Sequence, residues 1–304
     1  MVSDNFTMSV QKTKLLTQND PAPVTINRGK SNLIFTFPHN ALNVPENIAP
    51  CLGAEKEWFE NAHEAHDLYM AETYDLMREK FPEATFIRGN YSRLVVDLNR
   101  HPDYAVRHNS SENKDIIIPH NTADICCALQ KLKRMEEIYH PYHAQKKQII
   151  EETRYKHDGV IVMDMHSFSP IWNGKPREVE LGTIRARKTP LSNALEGFFK
   201  QHMDAYKYIS GEPYKVADMP SNAAAYIANE CDIQYLGIEI RNDLLKTQED
   251  REKFTNFLKR GIDHILSLEK NEPDTLKQIT ARRSEILGTE PSKSNENIYD
   301  SWMI

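Results

Sequence analysis

The chain has no apolar run near the ~18–20 residues that a membrane span needs. Its opening residues stay polar through Asp20, with no apolar stretch of the secretory type. The expectation is a cytoplasmic protein with no membrane partner. Positive charge is not in excess either. The formal net charge is −6 with 12 histidines, which argues against nucleic acid as a partner. Cysteine is scarce: Cys51, Cys126, Cys127 and Cys231 show no CxxC spacing, and adjacent Cys126 and Cys127 are expected as core thiols. Internal repeats and low-complexity tracts are also missing.

What is present is an alternation of strand-like and helix-like segments. Strands are expected at 33–37, 85–87, 94–100, 160–165, 180–186, 215–217 and 235–241. Helices are expected over 55–80, over 124–139 with a break at Pro141 and a resumption to about 156, over 191–206, and over 248–268. This is the pattern of an α/β protein with a mixed, largely parallel sheet and helices on both faces. Residues 1–28, with Pro21-Ala22-Pro23, read as a flexible arm, 29–270 as a single domain and 271–304 as a charged tail. The 101–121 segment is long enough to serve as a lid.

Two apolar strands end in histidine: Leu33-Ile34-Phe35-Thr36-Phe37 leads to His39, and Val160-Ile161-Val162-Met163-Asp164-Met165 leads to His166. Parallel strands expose their carboxyl ends on one rim, which is where open α/β sheets bind ligands. A metal on two imidazoles needs a further ligand. His63, His66 and Asp67, at i,i+3 and i,i+4 spacings on the expected helix, and Glu46 are the choices. Glu239 sits inside the apolar strand Tyr235–Arg241. A carboxylate there needs a partner or a task, and general acid–base work on a metal-activated water fits it. Asn99-Arg100 suits a substrate carboxylate. Arg93 suits the same anion or a polarised carbonyl. Arg241 is either the ion-pair partner of Glu239 or a further anchor. The reading is a metal-dependent hydrolase.

The chain resembles the N-formylglutamate amidohydrolases. The resemblance rests on Pro38-His39-Asn40 with Val44-Pro45, His63-Glu64-Ala65-His66-Asp67-Leu68-Tyr69, Ser92-Arg93 through Asp97-Leu98-Asn99-Arg100 and Tyr139-His140-Pro141-Tyr142-His143. It continues through Asp164-Met165-His166-Ser167-Phe168-Ser169-Pro170, Gly211-Glu212-Pro213-Tyr214 and Gly237-Ile238-Glu239-Ile240-Arg241-Asn242-Asp243-Leu244, covering about residues 33–250. It implies a zinc-carboxypeptidase-like (phosphorylase/hydrolase-like) fold and one divalent ion, Zn2+. The implied ligands are His39, Asp67 and His166, with Glu46 as the alternative to Asp67. Glu239 is implied as general base and acid, Arg93 as an oxyanion stabiliser, and Asn99, Arg100 and Arg241 as substrate-binding residues. The implied substrate is a small acidic N-acyl amino acid, N-formyl-L-glutamate, cleaved to formate and L-glutamate at the end of histidine degradation. Other N-acyl amino acids, short acidic peptides, or carboxylate binding without catalysis are the competing expectations. Around the pocket the chain departs from the family's usual pattern at Asn40-Ala41-Leu42-Asn43 and at Ser221–Tyr226, which bears on the acyl group accepted.

Overall fold

The computed structural model describes residues 14–46, 63, 65–106, 131–157, 159–185, 188–214 and 233–271. The cysteines, residues 1–13, the expected helical stretches 55–62 and 124–130, most of the 101–121 loop, the strand at 215–217 and the tail beyond 271 lie outside the described residues.

The elements run β1 (Val24–Asn27), β2 (Leu33–Phe37), α1 (Met70–Lys80), β3 (Thr85–Gly89), α2 (His140–Lys156), β4 (Val160–Phe168) and the short hairpin β5 (Ile171–Trp172) and β6 (Lys175–Pro176). They continue with β7 (Leu181–Ile184), α3 (Pro190–Gln201), β8 (Tyr208–Ser210), β9 (Ile233–Arg241) and α4 (Gln248–Asn271). Seven strands form one sheet in the order β1-β3-β2-β4-β9-β7-β8. β3, β2, β4 and β9 are mutually parallel, whereas β1 and β7 run antiparallel to β3 and β9. The mixed, mostly parallel sheet expected from the sequence is present.

Side chains alternate across a strand, so each strand feeds two cores. Leu33, Phe35, Phe37, Ile161, Met163, Met165, Leu236, Ile238 and Ile240 pack with α1, α3 and α4. Ile34, Val160, Val162, Ile233 and Tyr235 pack with α2 on the opposite face. The covering helices present apolar stripes at helical spacing, such as Phe254, Phe257, Leu258, Ile262 and Ile265 on α4. Helix α3 begins at a capping box in which the Thr189 and Ser192 side chains bond each other's backbone N–H, with Pro190 just inside the start.

Four local expectations are corrected. Residues 14–28 are part of the folded body: β1 pairs with β3, Leu15 is buried, and its N–H donates to Glu137 Oε1 at 2.7 Å. β1 is an edge strand with half-buried side chains, so it carries too little apolar signal to be seen. Residues 94–100 are turns, with Val95 N–H donating to Ser92 O at 2.9 Å and Asp97 N–H to Ala105 O at 2.6 Å. The run is apolar because it plugs the α2-side core, and burial alone does not specify a strand. The helix does not break at Pro141. A π-helical turn at Met135–Tyr139 widens the coil just before it and so accommodates a residue that lacks an N–H. Residues 65–69 are turn rather than helix, and α1 starts only at Met70, after Tyr69 in the left-handed region at φ 65°.

Gly182 of β7 lies opposite Glu239 of β9. A β-carbon there would run into the backbone oxygen of Glu212, two residues before Tyr214. Gly182→Ala is therefore expected to destabilise the fold by about 1–3 kcal/mol through overpacking. A urea titration by circular dichroism measures it, and an unchanged midpoint refutes the close approach.

Candidate metal centre and active site

On the α2 face, the apolar residues of β2, β4 and β9 give way to polar ones as the strands approach their carboxyl ends. Ile34 is followed by Thr36, Val162 by Asp164 and His166, and Tyr235 by Gly237 and Glu239. Parallel registry sets Thr36 beside Asp164 and His166 beside Glu239. His39 follows β2 directly. All of these side chains are buried.

Asp67 reaches them from the turn before α1. Its N–H donates to His39 O at 2.7 Å, and Ser92 Oγ holds the turn through Ala65 O at 2.7 Å. A turn, not a helix face, therefore delivers this carboxylate. His166 Nδ1 lies 3.0 Å from Asp67 Oδ2, His39 Nδ1 lies 3.9 Å from the same oxygen, and ligand atoms of the three residues all fall within 4.8 Å of one another.

Neighbouring ligands on a tetrahedral ion at ~2.0–2.1 Å stand about 3.3 Å apart, and these separations straddle that value. His39 Nδ1 is buried without a hydrogen-bond partner, an arrangement that is costly unless the atom binds something. The outer nitrogens are held: His39 Nε2 sits 2.7 Å from Asp97 Oδ1 and His166 Nε2 sits 3.0 Å from Asp164 Oδ2. A carboxylate on Nε2 fixes the tautomer that leaves Nδ1 bare for a metal. Asp164 is anchored in turn by the hydroxyls of Thr36 and, at 3.3 Å, of Tyr235. His39, Asp67 and His166 thus fit a metal ion.

Charge differs between the two histidines. Burial, with Arg93 adding to it, lowers the His39 pKa to about 3, leaving a neutral imidazole. Burial opposes ionisation of both members of the Asp164–His166 pair. Their mutual attraction and hydrogen bond outweigh it, so the carboxyl goes down and the imidazole up. Glu239 is pushed up to about 7 by burial, against the pull of His166, Arg93 and Arg177. Its Oε2 is buried with no hydrogen-bond partner.

The other expected residues fall out as follows. The Arg93 guanidinium donates to Asp67 Oδ1, beside the metal-fitting cluster. Asn99 Nδ2 lies 3.2 Å from His166 Nε2, and Arg100 Nε lies 3.6 Å from Asp97 Oδ2, so this pair packs against the groups that brace the histidines. Glu46 is exposed and accepts from Thr17 and Asn19, outside the cluster. Arg241 is not the partner of Glu239; it pairs with Asp243 at 2.8 Å and Glu180 at 3.5 Å. Four residues had no role assigned from sequence: Asp97, Asp164, Arg177 and Tyr214. Asp164 alone had a legible signal, because it precedes His166 by two on the same strand face.

Comparison with known proteins agrees with this fold. The N-formylglutamate amidohydrolase family model matches residues 31–246. An N-formylglutamate deformylase of Pseudomonas putida is 23% identical over 204 residues, covering 58% of this chain and 74% of that protein. Among solved structures, a gene product of Agrobacterium tumefaciens superposes with TM-score 0.75 at 25% identity, over 84% of this chain and 100% of that one. An N-formylglutamate amidohydrolase of Ralstonia eutropha JMP134 shares the fold at TM-score 0.59 and 16% identity, over 81% and 99% of the two chains. With a family model that matches most of the chain and includes every residue of the buried cluster, the chain belongs to the N-formylglutamate amidohydrolase family.

Proposed function

We propose that the protein hydrolyses the formyl C–N bond of N-formyl-L-glutamate, giving formate and L-glutamate, with zinc that His39, Asp67 and His166 would hold. In the cell this would close a histidine-degradation route. Family membership and the Pseudomonas relative's name support the substrate. The observation that carries the chemistry is Glu239: a buried carboxyl with a raised pKa and no hydrogen-bond partner at Oε2, set in register beside His166.

Two imidazoles and one carboxylate suit zinc, which when bound supplies Lewis acidity toward the formyl oxygen and an attacking water. Glu239 would take the proton of the attacking water and return it to the departing nitrogen. A carboxyl titrating near 7 is suited to both transfers at neutral pH, because each protonation state is within easy reach. The Arg93 guanidinium adds positive charge where the formyl oxygen becomes negative. The part-exposed Arg100, with Asn99, holds a substrate carboxylate.

The deciding experiment pairs zinc content with formate release from N-formyl-L-glutamate, using N-acetyl-L-glutamate and an acidic dipeptide as alternatives. About one zinc per chain with turnover of the formyl compound alone is the expected result. Zinc with turnover of the other substrates moves the specificity, and neither metal nor turnover sinks the hydrolase reading. A second measurement addresses the outer carboxylates. Asp164→Asn is expected to weaken zinc binding about 10–100-fold, read by competition with a chromophoric chelator. Undiminished affinity removes Asp164 from the support of the site.

A further inference from the structure

N-formyl-L-glutamate carries two carboxylates, and the arginines near the site are unequally free to receive them. Arg93 faces Asp67, Arg100 faces Asp97, and Arg241 is taken up by Glu180 and Asp243. Arg177, just past the β5–β6 hairpin, forms no ion pair with a carboxylate among the described residues.

Its guanidinium is instead lodged among three rings, with its central carbon 4.8 Å from the Trp172 centroid, 5.1 Å from Tyr214 and 5.4 Å from Phe168. It donates through one terminal nitrogen only, to Ser169 O at 3.1 Å and Tyr214 Oη at 3.5 Å. Arg241 fixes its backbone by donating to Arg177 O at 3.0 Å. The other edge of the planar fork has no acceptor among the described residues, while aromatic faces hold its orientation. The Phe168 that supports it lies two residues beyond His166 on β4. The Arg177 charge acts on both Glu239 and the buried imidazole of His63.

Resting on the N-formyl-L-glutamate reading, we propose that Arg177 is the specificity-determining residue that receives the second substrate carboxylate, on a platform of Phe168, Trp172 and Tyr214. A rigid guanidinium with an open edge and no ion-pair partner among the described residues is matched to a bidentate carboxylate. The three rings fix its geometry before substrate arrives and lower the ordering cost of binding. The residue acts on recognition of the acid rather than on proton transfer, so its loss should be read in substrate preference.

The test compares N-formyl-L-glutamate with N-formyl-L-glutamine, which has the same shape and no second charge, in wild type, Arg177→Met and Arg177→Lys. Methionine keeps an apolar stem between the rings and removes the donors. The ratio of kcat/KM for the two substrates is expected to fall about a hundredfold in Arg177→Met, with the loss on N-formyl-L-glutamate lying in KM. Arg177→Lys, which restores charge without the fork, should recover part of the ratio. An undiminished ratio in Arg177→Met, or an equal fall on both substrates in both variants, overturns the proposal. Calorimetric binding of glutarate against butyrate to the zinc-loaded proteins separates this from the parent reading. A wild type that hydrolyses neither substrate sinks the reaction assigned above. Loss of the glutarate preference in Arg177→Met still upholds Arg177, and its retention overturns it.

Discussion

Glu239→Gln is expected to lower formate release from N-formyl-L-glutamate by about a thousandfold, within the range for loss of a positioned acid–base group. Glutamine keeps the volume and the position opposite His166, yet it cannot take a proton from water or return one to nitrogen. The fall should therefore appear in kcat with KM little changed. Metal content should stay at the wild-type level, because Glu239 is outside the His39–Asp67–His166 group. Single-turnover formate assays with metal analysis on the same samples give both readings. A drop of less than about tenfold would show that another base serves. His63 is then the residue to replace, since burial and Arg93 keep its imidazole neutral and its Nδ1 has no partner. Loss of metal along with activity would instead make Glu239 a structural support of the cluster.

Much of this arrangement was legible because parallel strands write their function at one end. Apolar runs ending in His39 and His166, and a glutamate inside the run that becomes β9, point to the rim once the strands are taken as parallel, although spacing alone does not bring the two histidines together. Asp67 was harder to place. Its i,i+4 relation to His63 pointed to a helix face, whereas the chain there is a turn tied to His39 O, and no local pattern records that bond. The fate of the arginines was not legible at all. Arg241 shares a strand face with Glu239 in sequence, but Glu180 and Asp243 claim it. Arg177 gains its aromatic setting from Trp172 and Tyr214, which meet only after the chain has folded. Which cation is satisfied internally is a tertiary property that no local pattern records.

The same substitution of Glu239 should leave the metal-free protein more stable, and the gain should depend on pH. The folded pKa is raised from 4.5 to about 7, chiefly by burial. Below the unfolded value the carboxyl is protonated in both states and contributes no difference. Between the two values the unfolded chain ionises first, and above about 7 the native state carries a buried carboxylate at its full penalty. A shift of this size corresponds to about 3 kcal/mol. Glu239→Gln, which holds no charge at any pH, should therefore match the wild type near pH 4 and exceed it by about 3 kcal/mol near pH 8. Denaturant titrations of the chelator-stripped proteins at several pH values test this. A gap that does not vary with pH would mean that Glu239 already has a partner for its charge. Growth of the gap as pH rises would show that the fold bears a stability cost at the position where proton transfer needs a carboxyl poised near neutrality.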